Sequence, residues 1–81
     1  DVSAVSRVAL DAVLSIDFSG NIVVLRTKPG AAQYLASAID SSALPQALGT
    51  VAGDDTIMVI SRSATGGEEL AQVLTAFLSP A

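Results

Sequence analysis

The most informative stretch of the chain is Gly49-Thr50-Val51-Ala52-Gly53-Asp54-Asp55-Thr56-Ile57. A short apolar run meets a Gly-marked turn and a second apolar run follows, a pattern typical of a β-hairpin. Two adjacent carboxylates therefore lie in the turn that connects the two predicted strands. Like charges this close raise each other's energy, so a cation that neutralises them is favoured. A planar guanidinium with several donors fits two carboxylates better than a point charge does.

The residues upstream of this hairpin predict two more strands and a helix. Leu14, Ile16 and Phe18 alternate with polar residues, the period-2 signal of a half-buried strand. Gly20-Asn21 is a strong two-residue hairpin signal. The run 22–25 that follows is apolar on both faces, as expected of a strand covered on both sides. The segment 27–30 then breaks the sheet, and residues 31–40 predict a helix with one apolar stripe, made of Ala32, Leu35, Ala36 and Ile39.

The second half repeats this plan. We predict strands at 48–52 and 57–60 on either side of the acidic turn, and a loop at 63–67. Thr65 and Glu68 have the spacing of a capping box at a helix start, and Pro80 closes the chain after that helix. Its amphipathic stripe consists of Leu70, Val73, Leu74, Phe77 and Leu78.

The element order is therefore ββαββα, which predicts an α+β two-layer sandwich. We expect a mainly antiparallel four-stranded sheet with both helices on one face. Residues 13–81 form this domain, and residues 1–12 are a linker or a short helical lead-in. Val23 and Leu25 point opposite to Ile22 and Val24, so the second face of the sheet needs a cover, and a partner subunit is the natural one.

Composition narrows the function classes. The chain has 81 residues, with no Cys and no His, which removes disulfides, thiolate metal sites and the commonest general base. Hydrophobic residues make up 51% and the mean hydropathy is +0.59, so surplus apolar surface is expected to enter subunit contacts. Eight acidic residues against four scattered basic ones argue against nucleic-acid binding by this segment alone. Since no apolar run reaches membrane-spanning length and no signal segment opens the chain, we expect a cytoplasmic protein without membrane contact.

Each candidate site residue has a plain structural interpretation beside a functional one. Asp54 and Asp55 are either a solvated turn, a binding pair or an acid–base pair. A Ca²⁺ or Mg²⁺ site is a further alternative, although nothing near them matches an EF-hand loop. The Pro29-Gly30 helix entry is either a simple turn or an anion site built from free N–H groups. Gln33 and Asp40 lie seven residues apart, on one face of the predicted helix, and both could simply be solvated. Together, these groups would suit a zwitterion with a cationic tail.

At this point the chain closely resembles the C-terminal domain of the bacterial arginine repressor. The resemblance covers about residues 13–62, in order and with near-family spacing, and the run Gly53-Asp54-Asp55-Thr56-Ile57 is highly diagnostic. The other matching runs are Leu14-Ser15-Ile16-Asp17, the stretch 20–27 (GNIVVLRT), Pro29-Gly30-Ala31-Ala32-Gln33, Ile39-Asp40, and Leu48-Gly49-Thr50-Val51-Ala52.

The resemblance implies a transcriptional regulator domain that senses L-arginine as a corepressor, with no catalytic residue, no metal and no other cofactor. Family members form trimers that pair into hexamers, with arginine between the trimers. Operator DNA is bound by an N-terminal domain, which we expect to be missing from a chain that opens at Asp1. By this resemblance Asp54 pairs with the guanidinium and Asp55 lies at the same interface. The remaining implied contacts are Gln33 and Asp40 near the α-amino and carboxylate end, and backbone groups around Ala32, Thr50 and Ala52.

Two hypotheses from other classes stand beside this one. A purely structural oligomerisation module would leave the acidic turn solvated and would ignore arginine. A small acid–base enzyme lacks a second catalytic partner in this sequence.

Overall fold

The sheet has four strands and carries two helices. A computed structural model describes residues 11–78. The strands follow the order β1-β2-β4-β3, and every neighbouring pair is antiparallel. This confirms the predicted α+β sandwich and the ββαββα order. The elements are β1 (Val13–Ser19), β2 (Ile22–Thr27), α1 (Ala32–Ser41), β3 (Ala47–Ala52), β4 (Thr56–Ser61) and α2 (Gly67–Leu78).

The core lies between the sheet and the helices. In the two central strands Val23 pairs with Val59 and Leu25 with Ile57, and all four side chains are fully buried. Helix α1 packs on β3 and β4, and α2 packs on β1 and β2. The predicted α1 stripe is buried throughout, whereas Val73 and Phe77 of the α2 stripe are half-buried. Because each buried aliphatic side chain contributes about 1.5–3 kcal/mol, these two stripes supply much of the domain's stability.

The opposite side of the sheet, which we call the outer sheet face, carries a group of apolar residues that is uncovered among residues 11–78. Cross-strand pairing sets its composition, since Val24 and Val51 both pair with Met58. Val51 is 63% exposed and Met58 is 39% exposed. The prediction that Ile22 and Val24 point away from the core, opposite to Val23 and Leu25, is therefore confirmed. Its apolar members are Ile22, Val24, Val51, Met58 and Ile60.

Two irregularities in the strands were not predicted. The register shifts between Val13 and Ser15 in β1, and between Ala47 and Gly49 in β3. Such a bulge places two residues opposite one and breaks the alternation of side chains. Leu14 is therefore 64% exposed instead of sharing the face of Ile16, which was the expectation from alternation alone.

Helix α2 begins against the hairpin that joins β1 and β2. Gly20 has a φ of +58°, the conformation that a type II′ hairpin needs at this position. The N–H of Gly67 donates to the carbonyl of Gly20 at 2.9 Å. The predicted capping box is wrong, because the first helical bond runs from Leu70 N–H to the carbonyl of Gly66 and the cap position falls on Gly66. Thr65 lies one residue too early to cap the helix.

We expect Gly67→Ala to destabilise the domain by about 1–3 kcal/mol, the cost of overpacking. A Cβ at this position would lie 2.5 Å from the backbone oxygen of Gly20, so the helix or the hairpin would have to move. Urea unfolding followed by circular dichroism measures the effect. Gly49→Ala is the matched control, since its Cβ would meet nothing within 4 Å. Equal unfolding free energies for the two variants would contradict this account.

The predicted helical lead-in falls mostly on residues 1–10, outside the described range. Asp11 and Ala12 are helical, and Ala12 joins the core. The interpretation of residues 1–12 as a linker stays a prediction, as does the role of Pro80, which also lies outside the described residues.

Candidate functional site

The acidic turn between β3 and β4 is held by its backbone. The carbonyl of Asp54 accepts hydrogen bonds from the N–H groups of Gly30 at 3.1 Å and Ala32 at 3.3 Å. The carbonyl of Asp55 accepts from Thr27 N–H at 2.8 Å. These bonds tie the turn to the connection between β2 and α1. The two carboxylates are therefore displayed from a backbone that is fixed on both sides.

The two carboxylates have different surroundings. Asp55 accepts a hydrogen bond from the Thr56 hydroxyl at 2.9 Å, and its Oδ2 lies 3.8 Å from Nη2 of Arg26. With side-chain exposures of 48% and 58%, that ion pair contributes at most about 1 kcal/mol. Asp54 is exposed, and its carboxylate has no partner within residues 11–78. The turn thus presents one engaged carboxylate and one that is available to a cation.

The start of α1 offers fewer free donors than its sequence indicates. Gly30 has a φ of +84°, which fits the predicted Pro-Gly turn. The amides of Gly30 and Ala32 already donate to Asp54, and that of Ala31 donates to the carbonyl of Lys28 at 3.2 Å. By helix geometry the first-turn amides of Gln33 and Tyr34 have no acceptor within the helix. An anion at this helix start would therefore meet those two amides only.

Helix α1 and strand β3 are joined by side-chain hydrogen bonds along a line that we call the α1–β3 seam. Nε2 of Gln33 donates to the carbonyl of Ala52 at 3.1 Å. Two turns later, the Thr50 hydroxyl lies 3.0 Å from both carboxylate oxygens of Asp40 and donates to that group. Gln33 and Asp40 lie about 10 Å apart along the helix axis and their partners in β3 lie roughly 7 Å apart, and both side chains reach the strand. The seam therefore brings together four of the predicted site residues, Gln33, Asp40, Thr50 and Ala52.

The acidic turn continues directly from this seam, because β3 ends at Ala52 and Ala32 donates to the Asp54 carbonyl. All seven predicted residues therefore lie along one edge of the domain. The bonds between Gln33 and Ala52 and between Asp40 and Thr50 also have a plain structural role, since they fasten α1 to the sheet. They leave Gln33 Oε1 and further lone pairs of Asp40 as acceptors.

Sequence reasoning did not single out two basic residues beside this edge. Arg62 borders a cavity of about 260 Å³ that Asp40 and Gly49 also line. Arg26 pairs with Thr56 across the two central strands, which brings its guanidinium to Asp55. Arg62 follows β4, the strand that pairs with β3, so the strand order is the signal that could have placed it near Asp40. Neither contact follows from chain spacing alone.

Within the described part of the chain, the acidic residues do not gather into any group of three or more that could hold a metal ion. Over the same residues, no helix has both the length and the apolar character required to cross a membrane.

The family model of the arginine repressor, C-terminal domain, matches residues 9–76. The match extends the resemblance inferred from sequence, which covered about residues 13–62, into helix α2. It includes the α1–β3 seam and the acidic turn in full. A match over this much of the chain shows the family, and the fold agrees with it. The chain belongs to the family of the arginine repressor C-terminal domain, part of a transcriptional regulator of arginine metabolism.

Proposed function

We propose that this domain binds L-arginine as a corepressor at the acidic turn and along the α1–β3 seam. The observation that carries the proposal is the exposed, unpartnered carboxylate of Asp54 within residues 11–78, displayed from a turn whose backbone is fixed. A fixed acceptor loses little entropy when a ligand binds, which favours affinity. A guanidinium can pair with Asp54 through two parallel hydrogen bonds.

The other predicted site residues are assigned ligand contacts according to where they lie along the acidic turn and the seam. Asp55 adds negative charge beside the guanidinium while Arg26 partly offsets it. Gln33 and Asp40 serve the α-amino and carboxylate end of the ligand. Backbone groups around Ala32, Thr50 and Ala52 line the space between. Asp40 carries negative charge and so favours the ammonium group of the ligand, whereas the first-turn amides of α1 favour its carboxylate.

We further propose that the domain forms trimers and that two trimers pair with arginine between them. The apolar outer sheet face supports assembly, since an exposed apolar surface of this kind on a small domain marks an interface. Repulsion among facing Asp54 carboxylates would oppose the pairing of trimers until a guanidinium neutralises them. A ligand that binds only the assembled form stabilises it by mass action.

Isothermal titration with L-arginine, combined with sedimentation velocity, tests this function. We expect saturable heat and a shift from trimer to hexamer as arginine is added. Citrulline is the matched control ligand, because a neutral urea group replaces the guanidinium and so cannot neutralise Asp54. A purely structural oligomerisation module, the alternative hypothesis, would show neither heat nor a change in sedimentation.

We expect this chain not to bind operator DNA at physiological salt. Its net charge is −4, and its four basic residues are scattered, whereas phosphate binding needs a basic patch. In the proposed regulator an N-terminal domain binds the operator DNA. Because bacterial operator DNA lies in the cytoplasm, the regulator acts there. A gel shift with a duplex carrying an arginine operator measures this. A clear retarded band with this chain would contradict the prediction.

A further inference from the structure

A groove lies between strand β1 and helix α2, on the helix-bearing face of the sheet and at the opposite edge from the α1–β3 seam. Its volume is about 490 Å³, and its apolar lining comes from Ile16 and Phe18 on β1 and from Ala71 and Ala76 on α2. Phe18 remains 49% exposed. Exposing half of a phenylalanine ring is unfavourable, so a ligand that covers it gains free energy.

The backbone of β1 is available along the same groove. Strand β1 is an edge of the sheet, with β2 as its one neighbour among the described strands. Ser19 pairs with Ile22 across the two-residue turn, and hydrogen-bonded pairs alternate along an antiparallel ladder. The N–H and C=O groups of Ile16 and Phe18 therefore point away from β2. The strand has no Lys or Pro to protect its edge, and its bulge lies between Val13 and Ser15, before the segment 16–18.

The charges around the groove are negative. Asp17 is opposite Val24 and so faces the outer side of the sheet, while Glu68 lies at the groove on α2. Neither has an ion pair among residues 11–78, and none of the groove's lining residues is basic. A strand added beside β1 would place alternate side chains in the groove and the others beside Asp17.

We propose that this groove binds an extended segment of a partner protein, added antiparallel to β1, in which apolar residues alternate with Lys or Arg. The apolar residues lie opposite Ile16 and Phe18 and enter the groove, and their backbone groups bond to those of β1. The basic residues face Asp17. Because β1 and β3 are opposite edges of the sheet, this binding is independent of arginine.

The probe is a fluorescein-labelled peptide of sequence TKVKVKVT, titrated with the full chain and followed by anisotropy. We expect a dissociation constant on the order of 100 µM, and no binding of the peptide TEVEVEVT, whose charge is reversed. Asp17→Lys should weaken binding at least about tenfold by like-charge repulsion. Glu69→Lys makes the same charge change outside the groove lining and should leave the affinity unchanged.

Methylation of peptide nitrogens tests the strand geometry while the protein stays unaltered. N-methyl groups on the three valines should abolish binding, since those amides face β1, whereas N-methyl groups on the three lysines should not. Equal effects of the two methylation patterns, or no binding of TKVKVKVT, would overturn the proposal. The proposal would also be overturned if a second copy of this chain occupies the groove. In that case Phe18→Lys would change the sedimentation coefficient, and the unchanged chain would not bind the peptide.

Discussion

Replacing Asp54 with Asn should weaken binding of L-arginine by roughly 10- to 100-fold, the usual worth of a hydrogen bond to a charged group. The variant keeps the size of the side chain and removes its charge, so the guanidinium loses its ionic partner. The fold should be unaffected, because the bonds that hold the turn use the backbone carbonyl of Asp54. Arginine-dependent pairing of trimers should weaken in parallel, while the trimer persists.

Calorimetry and sedimentation velocity measure both effects, and thermal unfolding by circular dichroism checks the fold. Glu69→Gln is the control for loss of one negative charge. Asp55→Asn should cost less affinity than Asp54→Asn, since Asp55 is already engaged by Arg26 and Thr56. If Asp54→Asn binds arginine with unchanged affinity, Asp54 does not contact the ligand.

Truncating Leu35 to Ala should lower the free energy of unfolding by about 2–5 kcal/mol. Leu35 is fully buried in α1 against the sheet, so the change removes apolar contacts and leaves a cavity. A small domain has a total stability near the low end of about 5–15 kcal/mol, and much of the variant should therefore unfold at moderate denaturant concentrations. Urea unfolding at a fixed protomer concentration gives the value.

Tyr34→Ala is the matched control in the same turn of α1. Tyr34 is 50% exposed, so its truncation should change the unfolding free energy by no more than about 0.5 kcal/mol. Arginine at about 100 times its dissociation constant should restore roughly 2.7 kcal/mol to Leu35→Ala if the variant still binds it. A Leu35→Ala protein as stable as Tyr34→Ala would contradict the position assigned to α1.

The architecture could be predicted from the sequence because local and periodic signals agree. The alternation before Gly20-Asn21 and the stripe on residues 31–40 each select one secondary structure, and the boundaries differ from the structure by a residue or so. The two bulges were not predicted. In β1, for example, Leu14 fits the period-2 alternation of an ordinary strand. The helix start at Gly67 was missed because a Ser/Thr-x-x-Glu pattern is a strong cap signal, whereas the hairpin that contacts this Gly is distant in sequence.

The candidate site was predictable where helical period decides it. The seven-residue spacing of Gln33 and Asp40 places both on one face, and both bond to β3. Contacts that depend on strand order could not be foreseen. Arg26 reaches Asp55 only because β2 pairs with β4, and Arg62 reaches the cavity beside Asp40 for the same kind of reason. The carbonyl of Asp54 as acceptor for two α1-entry amides likewise requires the tertiary structure.

In the turn at Asp54 the main chain and the side chains have separate roles. Its carbonyls fasten the entry of α1, and any residue type would supply them equally well. The carboxylate can therefore be exchanged without dismantling the scaffold. The turn is therefore a favourable place to re-engineer ligand preference. Substitutions at Asp54 and Asp55 can be screened for a response to other amino acids while the fold stays the same.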